Sequence, residues 1–530
     1  MSDRWQALEN APRSLLSELF DADPDRLDRL TIEESGIRFD FAKTHLDLDL
    51  LESFTALAEA ADFPGHREAL FAGGIVNPTE DRAAEHAAER GEGAPDSVAL
   101  ARRFHARMRT LVDAIEAEAF GSVRHILHIG IGGSALGPEL LIDALGRGAG
   151  RYDAAVVSNV DGAALEEAVS GFDPHATLLV IASKTFTTSE TMLNARSALQ
   201  WMDEAGVTDP FGKTVALTAS PDKAIAFGID ETRILPFSET VGGRFSLWSS
   251  IGFPAALALG WEAFENLLEG AAAMDRHFRL APPERNAPLL AAFVDRYYAN
   301  VRGASTRAVF AYDERLRLLP SYLQQLEMES NGKAVGLDGA AVTRMTSPVV
   351  WGGVGTDAQH AVFQLLHQGT HLVPVEFVAA LEPGHSLAPE HHRQLLVNCF
   401  AQGAALLAGR ESEDPHRAYP GDRPSTTILL DRLDPRTLGA LIAFYEHRTF
   451  ANAVLLGDQP VRSVRGRARQ GNGQSDGRGG GQRNPFRSLH RRPYRPARFS
   501  RAGLTRLAEV GGGSRRPLRS DVSSRLRATP

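Results

Sequence analysis

The sequence predicts an α/β protein with two doubly wound, mainly parallel sheets, and three observations support this fold class. From residue 123 to residue 236, short aliphatic or β-branched runs alternate with amphipathic helical segments, which is typical of βαβ units. A second series of the same kind begins near residue 308. The chain has 530 residues and is 43% hydrophobic, which is enough to build sizeable cores.

The individual elements follow from the periodicity of apolar residues. A helical pattern dominates residues 5–61, where Thr31 and Glu34 form a T-x-x-E capping signature. We predict strands of the first sheet at 126–131, 155–160, 177–182, 214–218 and near Ile234. Strands of the second sheet are predicted at 308–312, 372–378 and 427–430.

The composition of the chain changes abruptly after Gly457. Residues 458–530, the basic tail, contain 18 Arg, no Lys and four acidic residues, a formal charge of +14. The whole chain carries −9, so residues 1–457 carry −23. The Arg, Gly, Pro and Ser content of the tail predicts disorder. One interpretation of the tail is a natural basic arm for nucleic acid or an acidic partner.

Several classes of protein are excluded by composition. The single Cys399 lies in an apolar stretch, which favours a buried thiol and excludes disulfides and cysteine-based metal sites. The sequence has no signal-peptide pattern and no apolar run of membrane-spanning length, so we expect a cytoplasmic protein that does not bind membranes. The acidic body argues against nucleic acid but allows an anionic substrate if donors converge locally.

The first predicted strand runs directly into Gly132, Gly133 and Ser134, and a helical pattern follows. Glycines at a strand-to-helix turn let backbone N–H groups approach an anion at the helix N-terminus. A tight turn without a ligand explains the same residues equally well, and the spacing departs from the dinucleotide-binding fingerprint.

Six hydroxyl groups and one ammonium group crowd the turn after the third predicted strand, in the segment SKTFTTSET at 183–191. One or two hydroxyls would be ordinary helix caps. A phosphate monoester explains six better, because its oxygens need several convergent donors at a helix N-terminus. We therefore favour a phosphate site over plain capping.

Four further side chains are candidates for chemistry. Arg244 follows two glycines and could either pair with surface carboxylates or stabilise an oxyanion in a cleft. Glu329 stands where a helix enters a glycine turn, with Gln325 four residues earlier on the same helical face. His360 precedes a predicted helix at 361–367, but chemistry alone cannot select one of 17 histidines.

Together these segments closely resemble the glucose-6-phosphate isomerase family. The matching motifs occur in the family's order over almost all of residues 1–457, and they read GIGGSALGP, SKTFTTSET, VGGRFSLWSSIG, MESNGK, GTDAQHAVFQLLHQGTH, PGDRPS and LIAFYEH. One departure is Asp422, where the family usually has Asn.

The resemblance implies a fold, an activity and a partner. It implies two αβα sandwich domains of the sugar-isomerase type, with a helical segment at 1–100, a small domain at 101–265, a large domain at 266–457 and the tail at 458–530. The implied activity is reversible isomerisation of D-glucose 6-phosphate to D-fructose 6-phosphate through ring opening and a cis-enediol, in glycolysis and gluconeogenesis. No cofactor and no metal are implied, and the partner is a second copy in a homodimer. An isomerase of a related sugar phosphate such as mannose 6-phosphate is an alternative.

The resemblance also implies a role for each candidate residue. Glu329 would move the proton between C2 and C1, and Arg244 would balance the charge of the intermediate. His360, held by Glu190, would assist ring opening from the other subunit. The residues implied to contact the sugar phosphate are Gly133, Ser134, Ser183, Lys184, Thr185, Thr188, Thr191 and Gln325.

One family motif is missing from the chain. The family continues with the pattern G-I-N-x-F-D-Q-x-G-V-E-L-G-K, whose Gln binds phosphate and whose Lys helps to open the ring, and this chain has neither. Codons for residues 458–473, shifted by one base, can encode I-N-P-F-D-Q-Y-G-V-E-L-G-K-A-M. Our hypothesis is a frameshift after Gly457, which argues against nucleic-acid binding by the tail. A clean read of the present frame on resequencing would exclude a sequencing error.

If the chain is made as written, the missing Lys suggests an alternative function. The protein would then be a catalytically impaired sugar-phosphate-binding protein of the same fold. Turnover assays on the purified chain, compared with the product of the same gene after deletion of one base, separate the two interpretations.

Overall fold

Two sheets organise the structure, a computed structural model that describes residues 1–77, 81–147, 150–336 and 339–457. The basic tail and its expected disorder therefore lie outside the described residues. In chain order the strands are β1 Thr31–Glu34, β2 Ile37–Asp40, β3 His125–Ile129, β4 Asp153–Val157, β5 Thr177–Ala182, β6 Thr214–Thr218, β7 Ile234–Pro236, β8 Thr306–Tyr312, β9 Val349–Val354, β10 Val375–Ala380 and β11 Ser425–Leu430.

Helices connect and cover these strands. In chain order they are α1 Ser2–Glu9, α2 Leu16–Ala22, α3 Arg26–Arg29, α4 Leu48–Ala60, α5 Phe63–Phe71, α6 Pro95–Glu116, α7 Leu136–Gly146, α8 Gly162–Val169, α9 Ser189–Glu204, α10 Pro221–Phe227, α11 Phe253–Leu259, α12 Trp261–Leu280, α13 Ala287–Arg296, α14 Leu319–Leu323, α15 Glu329–Asn331, α16 Gly355–Gln368, α17 Pro389–Ala408 and α18 Pro435–Leu456. A π-helical turn, Gln324–Met328, joins α14 to α15.

The first sheet is parallel throughout and has the strand order β4-β3-β5-β6-β7. From β3 the chain moves outward to β4 and then returns to place β5 on the other side of β3. The strand order therefore reverses between β3 and β5, and the loops at their carboxyl ends border a crevice. In open α/β sheets, ligands bind in such a crevice.

The second sheet has the order β1-β2-β11-β10-β8-β9. Strands β11, β10, β8 and β9 are parallel to one another, and β2 is antiparallel to both of its neighbours, β1 and β11. This observation corrects the prediction of a helix cap at Thr31 and Glu34, because both residues belong to β1. Ser35 and Gly36 have positive φ angles of 54° and 74°, which is typical of a tight hairpin turn. Pairing of β2 with β11 and burial of Ile32 outweigh the local capping signature.

Strand β9 and the start of α16 also differ from the sequence prediction. We predicted no strand at 349–354, because two adjacent glycines weaken the strand pattern there. At Gly352, φ is 156°, and an added Cβ would lie 1.8 Å from the Val309 carbonyl oxygen, so this close strand pairing requires glycine. Helix α16 begins at Gly355 rather than after His360, which places His360 inside the helix.

The central strands of both sheets are buried on both faces. In β8, Ala308, Phe310 and Tyr312 face an outer cluster with α16 and α17, whereas Val309 and Ala311 face the large central core. The first sheet alternates in the same way, with its outer cluster completed by α9. A sheet buried on both faces explains why the strands are continuously apolar.

Helix α18 lies within the central core, and every residue from Thr437 to Leu455 is buried. It crosses α12 at close range, because an added Cβ on Gly439 would lie 2.0 Å from the Leu267 carbonyl oxygen. Asp434 caps the N-terminus of α18 by accepting a hydrogen bond from Thr437 N at 2.8 Å. The polar side chains of this helix therefore contact other protein groups rather than solvent.

Candidate active site

Glycine residues bring the loop after β3 against the segment that carries Arg244. Gly132–Ser134 form a 3₁₀ turn, and an added Cβ on Gly133 would lie 2.1 Å from the carbonyl carbon of Gly243 and 2.5 Å from the backbone nitrogen of Arg244. No side chain fits at this contact. The predicted anion loop and Arg244 are therefore neighbours at the crevice of the first sheet.

The loop after β5 forms the hydroxyl-rich turn that the sequence predicts. The Oγ of Ser183 lies 3.2 Å from the Oγ1 of Thr188, and Thr187 donates to the Oγ1 of Thr185 at 2.9 Å. Phe186 adopts a positive φ of 51° and buries its ring, which turns the adjacent hydroxyls outward. Helix α9 follows directly, so its N-terminal dipole adds to the donors of this turn.

Two lysines border this turn. The ammonium group of Lys184 donates to the carbonyl oxygens of Glu239 at 2.6 Å and Val241 at 3.0 Å, which ties the turn to the segment before Arg244. Lys223 in α10 donates to the Thr185 carbonyl oxygen at 3.1 Å. We did not predict Lys223 from the sequence, although β5 and β6 are adjacent and α10 follows β6 at the same edge of the sheet.

Arg244 is nearly completely buried and belongs to the 3₁₀ turn Gly243–Phe245. Its Nε donates to the Oγ of Ser330 at 2.5 Å, and its guanidinium carbon lies 5.4 Å from the centroid of the Phe245 ring. Its Nη1 lies 3.6 Å from the Oε1 of Glu329. The alternative of a surface ion pair is therefore wrong, since this cation lies inside the protein.

The predicted pair of Gln325 and Glu329 is confirmed. Gln325 Nε2 donates to Glu329 Oε2 at 3.0 Å, across the π-helical turn. The side chain of Glu329 keeps 24% of its surface exposed, whereas Arg244 beside it keeps 4%. The carboxylate therefore has one oxygen near Gln325, the other near the guanidinium, and access to solvent.

The remaining predicted site residues lie on two helices, α9 and α16. Thr191 is buried in the first turn of α9, and Glu190 next to it accepts a hydrogen bond from the Oγ of Ser189 at 2.7 Å. His360 is exposed on α16. In the described part of the chain, the imidazole of His360 has no hydrogen-bond or ion-pair partner, so its own chain does not bring it to Glu329.

A buried histidine that we did not predict supports the first loop. The Nε2 of His128 in β3 lies 2.6 Å from the carbonyl oxygen of Ser134, to which it donates. Burial lowers the pKa of His128 to about 4, so the imidazole is neutral near pH 7. Its Nδ1 has no partner among the described residues, in agreement with an unprotonated Nδ1.

A model of the family described as phosphoglucose isomerase matches residues 40–461, most of the chain. The chain belongs to the phosphoglucose isomerase family. Among curated members, the glucose-6-phosphate isomerase of Rhizorhabdus wittichii is 75% identical over 456 residues, which cover 86% of this chain and 91% of the relative. That of Sphingopyxis alaskensis is 70% identical over 460 residues, covering 87% and 92%.

A solved phosphoglucose isomerase has the same fold. The crystal structure of a glucose-6-phosphate isomerase from Chlamydia trachomatis matches with a TM-score of 0.81 and 30% identity, covering 87% of this chain and 92% of that chain. This similarity confirms the predicted α/β fold class. Across the described residues, none of the helices has the length and hydrophobicity needed to span a bilayer.

Proposed function

We propose that this phosphoglucose isomerase family member interconverts D-glucose 6-phosphate and D-fructose 6-phosphate. The observation that supports this function best is the Glu329 carboxylate, which lies between Gln325 and Arg244. The loop after β3 contacts the backbone of the same arginine. A carbon acid next to a carbonyl needs a positioned carboxylate, and the charge that develops on oxygen needs a fixed cation. The site contains both groups.

In the proposed reaction, Glu329 acts as the base on the open-chain sugar. Its carboxylate removes the proton from C2 while the electron pair of that bond forms a C1–C2 double bond and O1 takes up negative charge. The same carboxyl group then returns the proton to C1. As the C2 carbonyl forms, O2 gives up its hydroxyl proton and O1 takes up a proton, so the net change on the two oxygens is one proton moved from O2 to O1. Gln325 holds one carboxylate oxygen by a hydrogen bond, so the other oxygen is directed at the sugar.

Arg244 stabilises the enediolate in this proposal. Its guanidinium is held on one side by Ser330 and lies over the Phe245 ring, so it needs little reorganisation as charge develops. A fixed donor in a desolvated site stabilises a transition state more strongly than one in water.

The loops after β3 and β5 bind the phosphate group in this proposal. Hydroxyls of Ser183, Thr185 and Thr188 and backbone N–H groups near Gly133 and Ser134 surround the crevice at the N-terminus of α9. Phosphate oxygens accept several hydrogen bonds at once, and the helix dipole favours their charge. Gly133 permits the close approach of the loop after β3 to the segment that carries Arg244.

Substitution Glu329→Gln tests the role of the base. The amide keeps the shape and the contact with Gln325 but cannot accept the proton, so we expect kcat to fall by about 10²–10⁴-fold. The measurement is coupled turnover in both directions, and the exposed Glu59→Gln in α4 is a matched control that should retain parent activity. A Glu329→Gln variant within tenfold of the parent would contradict the proposal.

A second copy of the chain completes the site in our proposal. His360 and Leu365 are both exposed on α16, and the neighbouring α17 exposes Val397 and Phe400. These three apolar side chains are 43–52% exposed, so the surface of these two helices includes exposed apolar area. A second copy packed on these helices would cover the apolar surface and deliver His360, supported by Glu190, to the partner's sugar ring.

The domain boundaries also stay a proposal. We propose a small domain at 101–265 and a large domain at 266–457, supported by the placement of β3–β7 in the first range and β8–β11 in the second. The N-terminal segment 1–100 contributes β1 and β2 to the second sheet.

A further inference from the structure

We propose that Trp248 and Glu446 are positioning residues that hold Arg244 at the catalytic carboxylate. Among the described residues, no hydrogen bond or ion pair joins either side chain to Glu329, and both side chains are completely buried. The inference rests on the role proposed above for Arg244 and adds the elements that fix its position. Two routes of direct contact lead from Glu446 in α18 to Arg244.

The first route runs through Trp248. The indole Nε1 donates to the Oε1 of Glu446 at 2.8 Å, and the Trp248 carbonyl oxygen accepts from the Nε2 of His105 at 2.8 Å. Between Arg244 and Trp248 the backbone forms consecutive turns, in which Ser246 Oγ donates to the Gly243 carbonyl oxygen at 2.6 Å. A displacement of the indole therefore moves the backbone that carries Arg244.

The second route runs through two stacked rings. The ring centroids of His86 and Phe245 are 4.7 Å apart, and the two ring planes make an angle of 29°. The guanidinium carbon of Arg244 lies 5.4 Å from the centroid of the same Phe245 ring. The Nε2 of His86 is 4.0 Å from the Oε2 of Glu446. Glu446 thus adjoins both the indole and the ring stack that support the same arginine.

Glu446 is itself fixed by a buried ionic cluster. Arg90 donates to the Oε2 of Glu446 at 2.5 Å and to both oxygens of Asp275 at 2.6 Å and 2.8 Å. His447 lies 2.6 Å from Asp275, and the guanidinium of Arg90 lies 4.7 Å from the Trp248 ring. Both carboxylate oxygens of Glu446 and both of Asp275 are hydrogen-bonded. Buried polar groups that are fully satisfied are rigid, so Glu446 in α18 provides a fixed anchor for the Arg244 segment.

Substitution Trp248→Phe tests the first route, because it removes the indole donor but keeps an aromatic ring beside Arg90. A misplacement of about 1 Å can cost about 10²-fold in rate, so we expect kcat to fall between tenfold and about a hundredfold. We expect KM to change less than threefold, since the arginine acts on the intermediate rather than on bound substrate. The matched control is Trp261→Phe, whose indole nitrogen is buried without a hydrogen-bond partner among the described residues.

A double-mutant cycle separates positioning from a general loss of structure. In an Arg244→Lys background, Trp248→Phe should lower kcat by less than twofold, because the group that it positions is already absent. An equal fall in both backgrounds, or a Trp248→Phe variant within twofold of the parent, would overturn the inference. If Trp248→Phe does not fold, Phe245→Leu tests the ring stack by the same cycle and the same criteria.

The single substitution Arg244→Lys distinguishes this inference from the proposed function. If Arg244→Lys retains parent activity, the proposed role of Arg244 fails, and the positioning inference fails with it. If Arg244→Lys is strongly impaired but Trp248→Phe is not, only the positioning inference is wrong.

Discussion

The imidazoles of His128 and His360 lie in opposite environments. His128 is fully buried in β3 and donates to the loop that approaches Arg244, whereas His360 is exposed on α16 and has no hydrogen-bond or ion-pair partner in the described ranges. The apolar run predicted as strand 126–131 favours burial of His128, but it does not show that its imidazole meets the Ser134 carbonyl oxygen. Burial depends on which strands and helices pack nearby, and that information is spread over the whole chain.

The buried His128 predicts a pH dependence of stability. Its pKa is lowered to about 4 in the folded state, against about 6.5 when unfolded. The stabilisation is therefore complete above pH 6.5 and is lost as pH falls towards 4, because the unfolded chain binds the proton more readily. We expect this one group to cost about 3 kcal/mol of unfolding free energy between pH 7 and pH 4.

The measurement compares urea unfolding of the parent with that of His128→Gln over this pH range. The Gln amide can donate to the Ser134 carbonyl oxygen but does not titrate, so its stability should fall less steeply with acid. Other buried histidines contribute equally to both proteins and cancel in the difference. Parallel pH profiles for the two proteins would contradict the assignment.

At the scale of elements, the contact between two glycine turns determines the shape of the site. The turn Gly132–Ser134 approaches Gly243 so closely that a methyl group at Gly133 must push the turns apart. We expect Gly133→Ala to lower kcat/KM by at least about tenfold, since both the phosphate loop and Arg244 would move. Steady-state kinetics measures this effect.

The matched control for Gly133→Ala is Gly162→Ala. An added Cβ at Gly162 meets nothing within 4 Å, and the residue begins α8 away from the crevice. We expect parent activity for this control. Equal activities of the two alanine variants would show that separation of the two turns does not lower kcat/KM.

The elements also show what could be predicted from sequence. The predicted strands 177–182 and 214–218 match β5 and β6, because continuous apolar runs between polar turns are specific for buried parallel strands. The hairpin β1–β2 was misassigned, since a capping signature and a short edge strand share the same polar residues. Its true state depends on pairing with β11, about 390 residues away in the chain.

The candidate site also contains residues that could be predicted from the sequence and residues that could not. The hydroxyl turn after β5 and the Gln325–Glu329 pair lie within short segments, so their spacing was enough to predict them. The contact of Arg244 with Ser330 joins residues 86 positions apart, and that of Trp248 with Glu446 joins residues 198 apart. Only the folded chain brings these side chains together.

At the scale of the whole molecule, the proposal that two copies share a site predicts complementation. Glu329→Gln and His360→Ala should each be inactive alone. If His360 acts across the interface, a mixed dimer contains one site with both native residues. Random assembly from equal amounts makes half of the dimers mixed, so co-expression should restore about a quarter of parent activity.

The control for complementation pairs Glu329→Gln with a chain that carries both substitutions. No dimer of these chains contains a native Glu329, so activity should stay at the level of Glu329→Gln alone. Failure of the first pair to exceed this control would place His360 and Glu329 of the same chain in one site. Activity of His360→Ala alone would remove His360 from the mechanism.

The burial of α18 also affects how the chain folds during synthesis. Residues 1–434 leave the ribosome before this helix, and they include both sheets with their outer clusters. The space that α18 occupies between α12 and α13 stays unfilled until then, with its apolar lining exposed. Nascent chains with exposed apolar surface aggregate and bind chaperones. This protein therefore completes its core, and with it the anchor of Arg244, only at a late stage of translation.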